Sequence, residues 1–341
     1  MKMEYADGGG YSTRLLIALD VDGTTVRDDG VTISPRVHAA VRAVRSAGHH
    51  VVLATGRSPA ATVPVTVALG LAGEFVVCSN GAVTLRLDPA RADRYAVVAH
   101  AAFDPRALLA IIGREWPGGA VAVELPGAGG IRATASFPPG ELPGDVLVVP
   151  WSQLGLCGAS RLIVHAAENP ARLARIADDL GFDCVADTTG DAEAVEIGPR
   201  GVSKAAALEA LRVALKVAGS DTVAVGDHLN DVEMLRWAMR GIAMGDAPAL
   251  LKEVANEVTS SCDSDGLAIA LESIISPART PTGSRPLMMH RCTPTDGLQG
   301  NLTSASLATF CGGIRCPETR LRLGSTAQEE EAPRSCDQPL P

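Results

Sequence analysis

In the stretch LLIALDVDGTTV, residues 15–26, five apolar residues are followed by two acids, Asp20 and Asp22. The apolar run predicts a buried strand over 14–20, because it has no polar face. Gly23, which follows at once, lets the backbone turn sharply after the strand. Two carboxylates that repel each other at the end of a buried strand indicate a functional site.

Strands and helices alternate along the chain outward from this stretch. Serine followed by proline opens two helices, at Ser34-Pro35 and Ser58-Pro59, because serine caps a helix and proline suits its first position. Further strands are predicted over 49–55, 74–80, 222–227 and 241–246, and further helices over 204–215 and 266–275. This alternation predicts an α/β fold built on a doubly wound parallel sheet, a Rossmann-like core.

The composition changes between residues 83 and 193. Much of this part is rich in Gly and Pro with short alternating runs, and residues 159–181 show a strand pattern followed by a helix pattern. We interpret 83–193 as an inserted α+β cap domain. The core is then formed by two separate segments, 14–82 and 194–276.

Residues 277–341 are dense in Pro, Thr, Ser and Gly and show no sustained period. Such a composition cannot offset the ordering entropy, about 1–2 kcal/mol per residue for the backbone, so we predict a disordered tail. A chain that ends at Ser276 is therefore expected to fold, to melt close to the full chain and to keep its turnover. Hydrogen exchange at nearly unfolded rates across the tail would agree, whereas slow exchange or an insoluble truncation would contradict this prediction.

Length and composition limit the class of protein. The chain has 341 residues, of which 46% are hydrophobic and 20% charged, and this suits two domains with a sizeable core. A net charge of −9 argues against nucleic acid as the partner. No apolar run of membrane length, no secretory pattern and no cysteine framework is evident, so a cytoplasmic protein is expected. The sequence leaves the oligomeric state open and is compatible with a monomer.

Polar side chains with a shared chemistry stand where the predicted strands end. In open α/β sheets, ligands bind beyond the carboxyl ends of the strands. The set comprises a nucleophile, a proton carrier, a hydroxyl, a fixed cation and further polar groups: Asp20, Asp22, Thr55, Lys204, Asp227, Asn230 and Asp231. Together these groups are typical of an enzyme that transfers a phosphoryl group.

The two leading acids have distinct roles in such a reaction. Asp20 can attack phosphorus and form an aspartyl phosphate, and Asp22 can protonate the leaving alkoxide and then deprotonate water. Like charges about 4 Å apart cost about 4 kcal/mol at the effective dielectric near a protein surface, so a divalent cation is needed. Oxygen ligands at this density favour Mg²⁺. Lys204 and the Thr55 hydroxyl would hold phosphate oxygens.

Four stretches in this order, DVDGTTV, LATGR, GVSKAAAL and GDHLNDVEM, resemble the motifs of the haloacid dehalogenase-like hydrolase superfamily. The insert between the second and third motifs is similar to the Cof-type branch, whose large α/β cap supplies the substrate contacts. The resemblance covers roughly residues 14–276. It implies a Mg²⁺-dependent phosphatase with Asp20 as nucleophile and Asp22 as acid and base.

The resemblance also implies a set of binding residues. For the metal these are Asp20, the Asp22 carbonyl and Asp227, with Asp231 as a further member that either ligates the ion or orients other ligands. For phosphate or substrate they are Thr55, Gly56, Asn80, Lys204 and Asn230.

Several alternatives remain open at this point. Sugar phosphates are the first expectation for the substrate, and flavin mononucleotide and pyridoxal phosphate are alternatives. A phosphorylatable signalling switch would use a similar acidic cluster with a hydroxyl and a lysine, and a binding protein could retain the scaffold without catalysis. Arg57 could reach the phosphate or pair with a neighbouring acid.

Overall fold

A computed structural model of the chain describes residues 14–127, 129–138, 142, 146–165, 169–187 and 194–275, without the side chains of 185–187. The predicted tail, 277–341, lies outside the described residues. None of the helices in the described ranges is long and apolar enough to cross a membrane.

Fourteen strands and nine α-helices are found in the described ranges. The strands are β1 Leu16–Leu19, β2 His50–Ala54, β3 Phe75–Cys78, β4 Val83–Leu87, β5 Tyr95–His100, β6 Ala120–Glu124, β7 Ile131–Ala133, β8 Val146–Val148, β9 Arg161–His165, β10 Phe182–Asp187, β11 Ala194–Pro199, β12 Thr222–Gly226, β13 Arg240–Ala243 and β14 Glu257–Val258. The helices are α1 Pro35–Ser46, α2 Pro59–Ala68, α3 Arg106–Glu115, α4 Trp151–Leu154, α5 Pro170–Asp179, α6 Lys204–Leu215, α7 Val232–Trp237, α8 Ala249–Val254 and α9 Gly266–Ile275.

An eight-stranded sheet forms the larger part of the fold, with the strand order β14-β13-β12-β1-β2-β3-β4-β5. The pairs from β14 to β3 are parallel, and β4 and β5 add antiparallel strands at one edge. Leu16 pairs with His50 of β2 on one side and with Thr222 of β12 on the other. The carboxyl ends of β1, β2 and β12 therefore lie side by side.

Both faces of this sheet are covered by helices. Ile17 and Leu19 of β1 pack into a cluster that also holds residues of α1 and α9, whereas Leu16 and Ala18 pack on the opposite side with α6, α7 and α8. These strand residues are fully buried. Each large aliphatic side chain buried in this way contributes about 1.5–3 kcal/mol, so the central strand is held firmly from both sides.

A second sheet of six strands follows the order β10-β11-β9-β6-β7-β8. Its pairs are antiparallel except that β7 and β8 run parallel. Leu108 and Ile112 of α3 and Leu173 of α5 pack with the inward side chains of β6, β9 and β11. This sheet and its helices take up most of the described residues between β5 and α6.

The predicted fold class is confirmed, and the helices at 204–215 and 266–275 match α6 and α9. Each predicted strand ends on the polar residue that follows its apolar run, whereas the observed strand ends one to three residues earlier. The predicted limits at 83 and 193 do not coincide with the sheets. β4 and β5 pair with the eight-stranded sheet, and β11 pairs with β9 and β10 of the second sheet.

Candidate active site

Asp20 is the first residue after β1, and the neighbouring strand holds it in place. Its backbone N–H donates to the Val225 carbonyl at 2.9 Å, which extends the β1–β12 pairing by one residue. Its Oδ1 accepts a hydrogen bond from the Lys204 ammonium at 2.7 Å. Lys204 is 1% exposed and begins α6, whose N-cap is the Ser203 side chain. A buried carboxylate and a buried cation therefore meet beyond the carboxyl end of the central strand.

Asp231 completes the ion pair from the loop after β12. Its Oδ1 accepts from Lys204 Nζ at 2.7 Å, and its Oδ2 accepts the backbone N–H groups of Asp227 and His228, each at 3.1 Å. Asp231 is fully buried. Both of its oxygens therefore contact neighbouring groups, the lysine on one side and the loop backbone on the other.

Three carboxylates cluster at this point, and their charges are not balanced within the cluster. Asp20, Asp227 and Asp231 each offer an oxygen within 4.8 Å of the other two. Lys204 supplies one positive charge against these three acids. A divalent cation would restore the balance, and an all-oxygen donor set suits Mg²⁺, so the residues present fit such an ion.

The electrostatics follow from burial and from crowding of like charges. Burial raises the pKa of Asp20 well above its usual value, and repulsion by Asp231 and Asp227 adds to this, although Lys204 opposes it. Burial also raises the pKa of Asp227 to about 7. For Lys204, burial alone would lower the pKa, but the attraction of Asp20 and Asp231 more than offsets it and raises the pKa. The lysine is therefore a fixed cation.

Two glycines permit the close approach of these carboxylates. Gly23 has a φ of +70°, and a Cβ there would lie 2.3 Å from Oδ2 of Asp227. A Cβ on Gly226 would lie 2.5 Å from Oδ2 of Asp231. The hydroxyl of Thr24 then donates to Oδ1 of Asp227 at 2.6 Å, which fixes that side chain.

The carboxylate of Asp22 points elsewhere. It accepts from Nε of Arg57 at 2.9 Å and from Nη2 at 2.5 Å, and Nη2 also donates to the Gly30 carbonyl at 2.9 Å. Of the two alternatives for Arg57, the structure has the pairing with a neighbouring acid. The side chain of Asp22 is 58% exposed and lies outside the cluster of three acids.

The predicted phosphate and substrate residues converge near the end of β2. Thr55 is fully buried, and its Oγ1 accepts the backbone N–H of Arg57 at 3.1 Å. Asn80 has a φ of +52°, and its Oδ1 accepts from Nδ2 of Asn230 at 3.2 Å. A Cβ on Gly56 would lie 3.3 Å from that Oδ1 of Asn80, so both amides lie over the glycine. Oδ1 of Asn230 is buried without a hydrogen-bond partner in the described part of the chain.

Charged residues of the second sheet, which the sequence analysis did not identify, also reach these loops. Arg161 donates from Nη1 to the Gly56 carbonyl at 2.7 Å and to Glu196 at 2.8 Å. Ser79 donates to Glu124, which also pairs with Arg161. The signal available in the sequence was a charged residue in each of three strands made mostly of apolar residues, AVAVE, RLIVH and AVEIGP.

Comparisons with known proteins agree on one family. The family model of the haloacid dehalogenase-like hydrolases matches residues 17–112 and 161–271. A phosphoglycolate phosphatase of Natronomonas pharaonis is 31% identical over 256 residues, which are 75% of this chain and 96% of that protein. A putative phosphatase of Bacillus subtilis, YkrA, is 28% identical over 276 residues, which are 76% of this chain and 97% of that protein.

A solved structure gives the same result for the fold. BT1666 from Bacteroides thetaiotaomicron, described as a phosphatase of the haloalkanoate (HAD) enzyme superfamily, superposes with a TM-score of 0.63 at 25% identity. The match covers 78% of this chain and 97% of that one. The similarity therefore extends over both sheets rather than over the motifs alone.

Proposed function

The chain belongs to the haloacid dehalogenase-like hydrolase family and is a phosphoric monoester hydrolase, and on that premise we propose that it uses Mg²⁺ and an aspartyl-phosphate intermediate to hydrolyse a small phosphorylated metabolite. The observation that carries the proposal is the buried cluster of Asp20, Asp227, Asp231 and Lys204 beyond β1. Three carboxylates that Lys204 balances only in part would repel a phosphate dianion, so the site needs a divalent cation before it can bind substrate.

Asp20, Asp227 and the Asp22 carbonyl would hold the ion, and Asp231 would orient the loop that carries Asp227. When bound, Mg²⁺ supplies charge neutralisation that brings the phosphate dianion next to the nucleophile. Lys204, held by Asp20 and Asp231, would keep its positive charge throughout the reaction and bind a phosphate oxygen.

The chemistry would proceed in two balanced steps. A carboxylate oxygen of Asp20 attacks phosphorus, the bond from phosphorus to the ester oxygen breaks, and Asp22 gives its proton to the departing alkoxide. Asp22 then removes a proton from water, the water oxygen attacks phosphorus, and the bond from phosphorus to the Asp20 oxygen breaks, which regenerates the Asp20 carboxylate and frees inorganic phosphate. Thr55, Gly56 and Asn230 would hold the phosphate oxygens. Asp22 would have to turn away from Arg57 to reach the reacting atoms.

For the substrate we propose a class of compound rather than a single compound. Sugar phosphates come first, and flavin mononucleotide and pyridoxal phosphate are alternatives. The second sheet would act as the cap that contacts the part of the substrate beyond the phosphate, with Asn80 at its boundary. Its position supports this, because Arg161 and Glu196 reach Gly56 and Asn80 in the loops of the larger sheet.

Turnover of a simple phosphate ester tests the proposal. The purified protein is expected to release p-nitrophenol continuously from p-nitrophenyl phosphate with Mg²⁺, and to hydrolyse members of a panel of phosphorylated metabolites. Many turnovers per active site would exclude the signalling switch. Stoichiometric phosphorylation of the protein without continued release would instead favour the switch and contradict the phosphatase.

A further inference from the structure

A buried ionic cluster lies where the second sheet meets the loops of the larger one. Arg161 on β9 faces two acids, Glu124 on β6 and Glu196 on β11. Its Nε and Nη2 lie 3.0 and 2.9 Å from Oε2 of Glu124. Its Nη1 lies 2.8 Å from Oε1 of Glu196 and 2.7 Å from the Gly56 carbonyl. We define these three charged residues as the acid–arginine cluster.

The arginine in this cluster is committed to groups of the protein. Burial alone would lower the pKa of Arg161, but the carboxylates of Glu196 and Glu124 more than offset this and raise it, so the side chain stays charged. The side chain of Arg161 is 8% exposed. A carboxylate on a substrate would have to displace one of its internal partners, because the charge is already neutralised.

The acids of the cluster differ in what they can offer a ligand. Glu124 is 2% exposed and is held by Ser79 and Arg161. The side chain of Glu196 is 21% exposed and lines a partly open cavity together with Asn80 and Asp183. Each carboxylate oxygen has two lone pairs, so Glu196 can accept a further hydrogen bond from a ligand.

Glu196 also connects directly to the predicted active site. Its Oε2 accepts from Nδ2 of Asn80 at 2.8 Å, and Oδ1 of Asn80 accepts from Asn230 at 3.2 Å. Asn230 lies in the loop that carries Asp227 and Asp231. Glu196 is therefore joined to the loop of the carboxylate cluster through two side-chain amides.

We propose that Glu196, positioned by Arg161, determines the specificity for the leaving group of the substrate. It accepts hydrogen bonds from hydroxyl groups and repels a carboxylate, so the preferred esters carry hydroxyl donors and no second anion beside the phosphate. The acid–arginine cluster contains two acids and one base and therefore carries one net negative charge. Asp183 adds a second negative charge at the wall of the cavity. This inference rests on the proposed phosphatase function.

A pair of matched phosphate esters tests the inference. Glycerol 3-phosphate and 3-phosphoglycerate differ only in a hydroxymethyl group against a carboxylate. We expect the wild-type protein with Mg²⁺ to favour glycerol 3-phosphate at least tenfold in kcat/KM. The same order should appear when the two esters compete with p-nitrophenyl phosphate, whose leaving group offers neither feature.

The variant Glu196→Gln removes the charge and retains the shape. The preference is expected to fall severalfold, mainly because 3-phosphoglycerate gains, while turnover of p-nitrophenyl phosphate changes less. Glu115→Gln is the matched control, since Glu115 pairs with Arg172 at the surface of α3, and it should retain the preference. A melting temperature close to that of the wild-type protein establishes that each variant is folded.

Three results would overturn the inference and leave the phosphatase function intact, and the first two concern the preference. One is wild-type hydrolysis of 3-phosphoglycerate equal to or faster than that of glycerol 3-phosphate, and the other is an unchanged preference in Glu196→Gln. Failure of both esters to compete with p-nitrophenyl phosphate would also contradict it. If the proposed phosphatase function is wrong, p-nitrophenyl phosphate will not be hydrolysed at all, so that outcome can be told apart from those above.

Discussion

Replacement of Asp20 by Asn is expected to abolish turnover while the protein stays folded. The amide keeps the shape of the side chain but lacks the negative charge that attacks phosphorus, so kcat should fall by at least about 10⁴-fold, in line with loss of a nucleophile that acts together with other catalytic groups. The measurement is the rate of p-nitrophenol release with Mg²⁺, with circular dichroism to confirm the fold.

The stability of this variant separates a catalytic role from a structural one. Burial and the neighbouring acids disfavour the charged form of Asp20, so removal of the charge should leave the metal-free protein as stable as the wild type or slightly more stable. Asp178→Asn is the matched control, because Asp178 pairs with Arg200 at the surface of α5 and should keep full activity. An Asp20→Asn variant that retains most of its turnover would contradict the aspartyl-phosphate mechanism.

The architecture could be predicted because its signals are local. Helix α6 begins at Lys204 after the Ser203 cap, and α1 begins at Pro35 after Ser34, as expected from the residues that favour helix starts. The convergence of Asp20 and Asp227 followed from a single rule, that the carboxyl ends of parallel strands share one edge of the sheet.

Features that depend on distant pairing could not be predicted. The assignment of β4 and β5 to the larger sheet depends on the antiparallel pairing of β4 with β3 and of β5 with β4, which a change in composition near residue 83 does not reveal. The acid–arginine cluster depends on three strands that are separated by up to 72 positions, from Glu124 to Glu196. A single charge in an apolar strand indicates a buried partner but does not identify it.

The side-chain direction of Asp22 shows a further limit. The motif predicts an acid two residues after the nucleophile, but the direction of its carboxylate depends on where the loop after β2 places Arg57. The sequence left two partners open for Arg57. In the observed pair, Arg57 holds the carboxylate of Asp22, the proposed acid and base, away from the carboxylate cluster. Asp22 would have to turn before it could act.

Removal of divalent metal is expected to stop activity completely, and Mg²⁺ is expected to restore it. Without the cation, the phosphate dianion faces Asp20, Asp227 and Asp231 with Lys204 as the compensating charge in the cluster. Ca²⁺ should restore much less activity, because it takes more ligands at longer and more variable distances. The measurement is turnover in excess chelator, followed by addition of each ion. Full activity in excess chelator would contradict the proposed metal site.

The pH dependence of stability gives a second readout of the same site that does not require substrate. The pKa of Asp227 is raised to about 7 by burial, and that of Asp20 is also raised, whereas an unfolded aspartate titrates near 3.9. The metal-free folded state therefore binds more protons than the unfolded state between about pH 4 and 7. The stability that these two groups contribute is fully present below about pH 4 and is lost as the pH rises through 7.

Thermal melting from pH 5.5 to 8 should therefore show the metal-free protein losing stability as the pH rises. Mg²⁺ should oppose this loss, and its stabilising effect should increase with pH, because it binds the deprotonated carboxylates and adds stability by mass action. Asp227→Asn is the control variant, and it should show a flatter pH dependence and a weaker response to Mg²⁺. A metal-free melting temperature that rises across this range, equally in the wild type and in Asp227→Asn, would contradict the assignment of Asp227 to the metal site.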